Sequence, residues 1–191
     1  REPVADVPGR IDGAIEDLDM VLARFTALLR ISEIEVSGRR SGFAGVDLMT
    51  LIAQVGELYE PLADERDVTL SMHGSYGHVV ECDEGLMLEG LSNLVDNALK
   101  FTEPGGEVSL AVLVRPEGVA IEVRDNGPGI APAERSLVLR RFYRGAASRT
   151  VAGTGLGLNL VAAIAHLHGF ALELDDAAPG LIVRVVCYEA A

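Results

Sequence analysis

Apolar residues recur near the N-terminus at alternating intervals of four and three residues. The positions are Ile11, Ile15, Leu18, Leu22, Phe25 and Leu29. This spacing is a heptad seam, which predicts a long helix that packs against other helices in a bundle. An ordinary amphipathic helix buried against its own domain is the alternative. Because a Gly-, Ser- and Arg-rich stretch follows, we place the bundle helix in residues 1–38, a linker in 39–45 and a globular domain in 46–191.

Beyond the linker, the hydrophobic pattern changes between helical and alternating periods. Asp47 and Asp83 each stand at the N-cap position of a helical pattern, and the second helix is predicted from Glu84 to about Phe101. A third helix is predicted from near Gly155 to His168. The alternating runs predict strands at 68–72, 78–82, 107–115, 119–124, 171–174 and 181–186. Because helices and strands do not alternate strictly, we predict an α+β two-layer sandwich in which three helices cover one face of a mixed sheet.

Composition narrows the class of protein. The 191 residues carry a net charge of −13, which would repel a nucleic acid, so nucleic acid is not expected as a partner. No apolar stretch reaches the roughly 20 residues that a membrane-spanning helix needs. Since the chain starts at Arg1 rather than Met, we expect a cytoplasmic segment of a longer protein, with any membrane contact made through other parts. Cys82 and Cys187 lie in strand-like runs and are expected to be reduced core thiols.

One face of the second helix carries polar residues. Glu89, Asn93, Asn97 and Lys100 recur at intervals of four, four and three residues, which places them on the same side of the helix. An amide oxygen is a suitable ligand for Mg²⁺, and a lysine can meet a phosphate. A solvated helix face is the alternative for this segment alone.

Two glycine-rich segments complete the candidate chemistry. Residues 125–130 (Asp-Asn-Gly-Pro-Gly-Ile) follow a predicted strand directly, and their glycines would let the backbone approach a flat ligand. Taken alone, they also suit an ordinary turn. Residues 153–158 (Gly-Thr-Gly-Leu-Gly-Leu) open the third helix, where exposed N–H groups favour phosphate oxygens.

Together, these segments resemble the motifs of sensor histidine kinases. Residues 93–102 are similar to the N box, 125–129 to the first glycine box, 141–145 to the F box and 153–158 to the second glycine box. The heptad helix resembles the second helix of the dimerisation and histidine-phosphotransfer hairpin. The resemblance implies the Bergerat ATP-binding fold, a protein-histidine kinase activity with ATP and Mg²⁺, and a response regulator receiver domain as partner. It also implies a dimer formed through bundle helices.

Site residues follow from the same resemblance. Asn97 would ligate Mg²⁺ with Asn93 assisting, Lys100 would neutralise phosphate charge, and Asp125 would accept the adenine amine. Residues 131–153 would form a lid over the nucleotide. The remaining nucleotide contacts that the resemblance implies are Phe101, Gly127, Gly129, Ile130, Arg144, Thr154, Gly155, Leu156 and Gly157.

The chain also departs from the family pattern. The phosphoacceptor motif is a histidine followed directly by an acid, and none of the four histidines here has that neighbour. We therefore expect the acceptor histidine to lie on a helix outside this sequence. In the F box, Leu139 and Arg140 stand where an aromatic residue and an acid are usual, which puts lid closure in doubt.

Two other functions are weighed against phosphotransfer. Hydrolases of the same superfamily have a glutamate one turn before the Mg²⁺-binding asparagine, where this chain has Asn93, although Glu89 lies one turn further back as a candidate base. A non-enzymatic scaffold that binds ATP would keep the same motifs. A serine-directed anti-sigma kinase is a weaker option, since a heptad helix does not usually precede it.

Overall fold

The computed structural model describes residues 18, 21, 22, 25–34, 42–139, 143 and 155–188. Residues 25–34 form a helical segment that we call the N-terminal helix. The other helices are α1 (Leu48–Glu65), α2 (Glu84–Phe101), α3 (Pro132–Arg135) and α4 (Gly157–His168). The strands are β1 (Phe43–Asp47), β2 (Thr69–His73), β3 (Val79–Asp83), β4 (Glu107–Arg115), β5 (Gly118–Asp125), β6 (Ala171–Asp176) and β7 (Leu181–Tyr188).

Aspartate side chains begin the two longest helices, as the sequence predicts. The Asp47 carboxylate accepts hydrogen bonds from the N–H groups of Met49 and Thr50, at 2.9 and 3.2 Å. The Asp83 carboxylate accepts one from Leu86 at 3.0 Å. These bonds satisfy N–H groups that have no partner within the first helical turn, and each cap stabilises its helix by about 1 kcal/mol.

Five strands form the main sheet in the order β2-β4-β5-β7-β6. Strand β2 runs parallel to β4 and the other neighbours are antiparallel, so the sheet is mixed. Helix α2 lies in the middle of the helical layer, where it packs against α1, α4 and β5. The predicted α+β architecture is confirmed, and α2 is the element that the other helices and the sheet hold in place.

The two faces of the sheet differ in chemistry. Ile121 and Val123 of β5 join the hydrophobic core under the helices. The intervening Glu122 faces the other way and pairs with Arg184 of β7 at 2.6 Å. Arg115 pairs with Glu173 at 2.7 Å. This alternation buries one face of the sheet and leaves the other polar, as expected of a two-layer domain.

The start of the domain differs from the prediction. Phe43–Asp47 form β1, so residues 43–45 belong to a strand rather than to the linker. Strand β1 pairs antiparallel with β3 in a separate two-stranded sheet, whereas β2 joins β4. The pattern missed this strand because Val46 alone of its residues is buried. Residues 39–41 of the predicted linker lie outside the described residues, and the domain boundaries stay a prediction.

The N-terminal helix presents two faces. Leu18, Leu22, Phe25 and Leu29 of the predicted seam are 49–58% exposed, whereas Ile11 and Ile15 lie outside the described residues. Ile31 and Ile34, which are off the seam, are buried in the core of the domain. The seam is therefore free to meet other helices, which favours the bundle interpretation over a helix buried on its own domain. No helix in the described ranges is long and apolar enough to span a membrane.

His168 and the two cysteines are core residues. The Asp83 N–H donates to His168 Nε2 at 3.0 Å, so the proton of the neutral imidazole lies on Nδ1, which faces the Ile164 carbonyl at 2.7 Å. Burial raises the pKa of the Cys82 thiol to about 11 and that of Cys187 to about 12. His168 connects α4 to the start of α2, and both thiols are protonated at neutral pH.

The turn between β6 and β7 closes against the end of β5. Gly180 has a φ of +112°, and a Cβ at this position would overlap the Asp125 carbonyl oxygen. The Leu181 N–H donates to the Asp125 carboxylate at 3.2 Å, and Arg124 donates to the Ala177 carbonyl at 2.9 Å. The turn therefore rests directly on the loop that follows β5.

Substituting Gly180 tests this close approach. Gly77 is a matched control, since its φ is +100° and a Cβ there would meet nothing within 4 Å. Gly77→Ala should lower the free energy of unfolding by about 1–2 kcal/mol through backbone strain alone. Gly180→Ala should cost at least about 2 kcal/mol more, because the overlap adds to the strain. Urea unfolding followed by circular dichroism measures both, and equal losses would contradict the proposed contact.

Candidate functional site

The polar face of α2 is half-buried, and a hydrogen bond orients one of its two amides. Asn93 Nδ2 donates to the Glu89 carbonyl at 2.9 Å, which turns the Asn93 Oδ1 atom away from the helix backbone. Asn97 lies one turn further on and makes no hydrogen bond with the described residues. A half-buried amide without a partner is available to a ligand.

The N-terminus of α4 lies against this face. A Cβ on Gly157 would be 3.0 Å from Asn97 Nδ2 and 3.3 Å from Asn93 Oδ1. Gly155 has a φ of +71°, the left-handed region that favours glycine, where the chain turns into the helix. The sequence-predicted N box and second glycine box therefore meet, and any side chain at position 157 would be tight against these two amides.

This helix start differs from those of α1 and α2. Its N-cap residue is Leu156, which has no side-chain acceptor. The first-turn N–H groups of α4 consequently lack the aspartate that satisfies their counterparts in α1 and α2. Together with the positive end of the helix dipole, such N–H groups suit an anion.

Lys100 supplies positive charge on the same side of α2. Its side chain is half-buried and forms no ion pair with any residue in the described ranges. A lysine in this position can neutralise an anion held between α2 and α4.

Asp125 lies at the other end of the site and is 8% exposed. Its Oδ1 atom accepts from the Gly127 N–H at 2.9 Å and from the Leu181 N–H at 3.2 Å. Burial raises the pKa of the carboxyl, and the two hydrogen bonds oppose that rise. Its Oδ2 atom accepts no hydrogen bond from the residues that the structure describes, so it is available to an external donor.

Two glycines shape the loop after Asp125. A Cβ on Gly127 would be 2.6 Å from the Phe101 carbonyl oxygen, so this loop crosses the C-terminal end of α2. A Cβ on Gly129 would be 2.6 Å from the Gly180 carbonyl oxygen, and Gly129 has a φ of +67°. The loop is thus confined between α2 and the β6–β7 turn, with Ile130 next along the chain.

Glu89, the candidate base, is already paired. The guanidinium of Arg30 in the N-terminal helix bonds both oxygens of Glu89, with Nε at 3.2 and 3.0 Å and Nη2 at 2.8 Å. This pairing raises the pKa of Arg30. A carboxylate held by a guanidinium is not positioned to take a proton from water, which weakens the case for hydrolysis.

Some predicted site residues lie outside the described residues. These are Arg144 and Thr154, with residues 140–142 and most of the predicted lid. Within the described part of that segment, Tyr143 donates to Glu134 of α3 at 2.8 Å. Helix α3 itself was missed, since four residues carry too little periodicity to be recognised.

Sequence reasoning also missed the β6–β7 turn as a wall of the site. Gly180 and Leu181 contact Asp125, although 56 residues separate Leu181 from it in the chain. In the sequence, the Pro179-Gly180 pair is typical of a turn between two strands, and it is the one signal that could have indicated this wall.

The chemistry of this cleft suits a nucleotide with a magnesium ion. The N–H groups of α4 and Lys100 suit phosphates, the Asn97 amide suits a hard cation, and the free acceptor on Asp125 suits an amine. No group of three or more histidine, cysteine, aspartate or glutamate side chains converges in the described ranges.

Comparison with known families agrees with this geometry. The model of the histidine kinase-, DNA gyrase B- and HSP90-like ATPase family matches residues 82–188. The swarming motility regulation sensor protein RssA of Serratia marcescens is 32% identical over 173 residues, which are 88% of this chain and 37% of RssA. The sensor protein kinase PmrB of Pseudomonas aeruginosa is 34% identical over 154 residues, 80% of this chain and 32% of PmrB. The chain thus spans about a third of the length of these relatives.

Solved structures show the same relationship. The mycobacterial sensor histidine kinase MprB is 31% identical, with a TM-score of 0.65 over 76% of this chain and 97% of that one. Full-length ShkA in complex with AMPPNP is 26% identical, with a TM-score of 0.77 over the whole of this chain and 41% of that one. The chain therefore belongs to the histidine kinase-, DNA gyrase B- and HSP90-like ATPase family, and it is similar to one part of the sensor kinases that it matches.

Proposed function

We propose that this chain binds ATP with Mg²⁺ and transfers the γ-phosphoryl group to a histidine that lies outside its own sequence. The observation that carries the proposal is the contact of Gly157, at the start of α4, with Asn93 and Asn97. This contact joins an anion site to amide ligands suited to a hard cation, which is the combination that phosphoryl transfer requires.

Each end of the cleft has its own task in this proposal. Asn97 supplies an oxygen to the metal with Asn93 beside it, and Lys100 with the N-terminus of α4 neutralises phosphate charge. Asp125 receives the adenine amine. ATP supplies the phosphoryl group, and Mg²⁺ screens its charge. The acceptor imidazole nitrogen forms the new N–P bond as the bond from phosphorus to the departing ADP oxygen breaks.

The wider assignments follow the same proposal. The exposed seam of the N-terminal helix supports pairing with other bundle helices and hence a dimer of the complete protein. A response regulator receiver domain is the proposed recipient of the phosphoryl group from the histidine. We also propose that this part of the protein is cytoplasmic, where ATP is available.

Removing the metal ligand should separate binding from folding. Asn97→Ala should reduce the Mg²⁺-dependent affinity for ATP at least about tenfold, because the amide oxygen is lost. Asp96→Ala is the control, since the neighbouring carboxylate is exposed. Titration calorimetry with and without Mg²⁺ measures the effect. A near-normal affinity in Asn97→Ala would move the metal role to Asn93.

Base selection should depend on Asp125. The carboxylate accepts from the adenine amine but would face the guanine carbonyl without a hydrogen atom between them. We therefore expect ATP to bind at least about tenfold more tightly than GTP. Asp125→Asn should narrow this ratio, since its amide can keep the Oδ1 bonds to Gly127 and Leu181 while its NH₂ donates to guanine.

Competition of ATP and GTP against a fluorescent ATP analogue measures both affinities. Circular dichroism of Asp125→Asn checks that the fold is kept. An equal affinity of the natural chain for the two nucleotides would refute the role of Asp125.

Phosphotransfer itself requires an added acceptor. The chain alone should not form a stable phosphohistidine with radiolabelled Mg-ATP, because no histidine is followed by an acid. A separate helical hairpin that carries a histidine followed by an acid should become labelled, and the label should be acid-labile and base-stable. Label on the chain alone, or none on any complete hairpin although ATP binds, would overturn the proposal. Release of phosphate without an acceptor would indicate a hydrolase.

A further inference from the structure

Arg135, the last residue of α3, bonds two separate segments at the end of the cleft where Asp125 lies. Its Nε donates to the Ile130 carbonyl at 3.1 Å, at the end of the loop that follows Asp125. Its Nη2 donates to Asp176 at 3.2 Å, and its Nη1 lies 3.8 Å from Asp175. The Arg135 side chain is 20% exposed, whereas its partners Asp175 and Asp176 are 57% and 59% exposed.

Those two parts already meet around Asp125. The β6–β7 turn places Gly180 against Gly129 and the Leu181 N–H on the Asp125 carboxylate. The Ile130 end of the loop is where Arg135 adds its bond. The turn therefore contacts the loop at Asp125 and at Gly129, and the guanidinium adds a hydrogen bond at Ile130.

The acidic partners of Arg135 are themselves fixed. Asp175 also pairs with Arg184 at 3.4 Å, and Arg184 pairs with Glu122 of β5 at 2.6 Å. The Asp176 carboxylate accepts from the Ala178 N–H at 3.0 Å in the turn. The guanidinium is thus connected to the sheet through groups that have a defined place.

We propose that Arg135 is a positioning residue for the base of the nucleotide. It holds the loop of Asp125, Gly129 and Ile130 in the geometry that receives adenine, and it has no part in transfer of the phosphoryl group. This inference rests on the proposed function, since it assumes that adenine binds beside Asp125. The planar fork of arginine suits the role because it donates in two directions at once.

The test compares nucleotide affinities of the full chain. Arg135→Ala should weaken ATP and ADP by the same factor, roughly tenfold, because the γ-phosphate is not involved. The preference for ATP over GTP should narrow as well, which a general loss of stability would not produce. Arg135→Lys should recover only part of the affinity, since an ammonium cannot donate to both partners in the same geometry.

Two further variants make the result specific. Arg115→Ala removes an arginine with comparable ion pairs on the outer face of the sheet, at 2.7 and 2.8 Å, and should leave all affinities unchanged. Asp176→Asn keeps the acceptor for the Ala178 N–H but removes the charge that pairs with Arg135. It should weaken ATP binding in the natural chain, and it should have little further effect on ATP affinity in the Arg135→Ala variant.

The outcomes separate this inference from the proposed function. If the natural chain binds no ATP, the proposed function fails. If the natural chain binds ATP, and the Arg135→Ala variant binds ATP, ADP and GTP with the same affinities as the natural chain, the inference fails but the proposed function does not. A loss of ATP affinity with no loss for ADP would also overturn it, because it would place Arg135 at the phosphate end.

Discussion

Three backbone segments can enclose the cleft only because no side chain lies between them. Gly127 passes the end of α2, Gly157 passes its amide face, and Gly180 closes on the end of β5. A Cβ at Gly127 or Gly180 would overlap backbone atoms, and one at Gly157 would be tight against the side chains of Asn97 and Asn93. The interior of the domain is packed so closely that neighbouring segments have little room to yield. Excluded volume therefore sets how closely these segments approach one another. The polar contacts of the cleft form at the short distances that the glycines allow.

Charge is distributed along the cleft to match that shape. The end of the cleft that we propose for the phosphates combines a helix start without a side-chain cap with Lys100, although the whole chain carries a net charge of −13. The base end holds a buried carboxylate whose ionised form burial disfavours. An ordinary helix cap at Leu156, such as the aspartates that begin α1 and α2, would fill the anion site with the chain's own carboxylate. Leaving that position apolar gives up local helix stability and keeps the site open to a ligand.

Features of the site that depend on neighbouring residues could be predicted from the sequence, whereas contacts between residues far apart in the chain could not. Asn93 and Asn97 could be placed on one face because helical spacing is regular, and Asp125 could be placed at a strand end because alternation stops there. The roles of Gly180 and Arg135 could not be predicted, since they depend on how the β6–β7 turn folds back across the sheet. Strand β1 was missed for a related reason: its pairing with β3 buries one residue and so leaves almost no hydrophobic pattern.

The two thiols of the core carry a practical consequence. Cys82 and Cys187 are buried, and their pKa values of about 11 and about 12 leave on the order of one thiolate in ten thousand or fewer at pH 7. Alkylating reagents attack the thiolate, so the folded domain is shielded twice, by access and by protonation. Opening of the core removes both forms of protection together. The rate at which the two thiols are modified therefore reports how often the interior of the domain becomes exposed to the reagent.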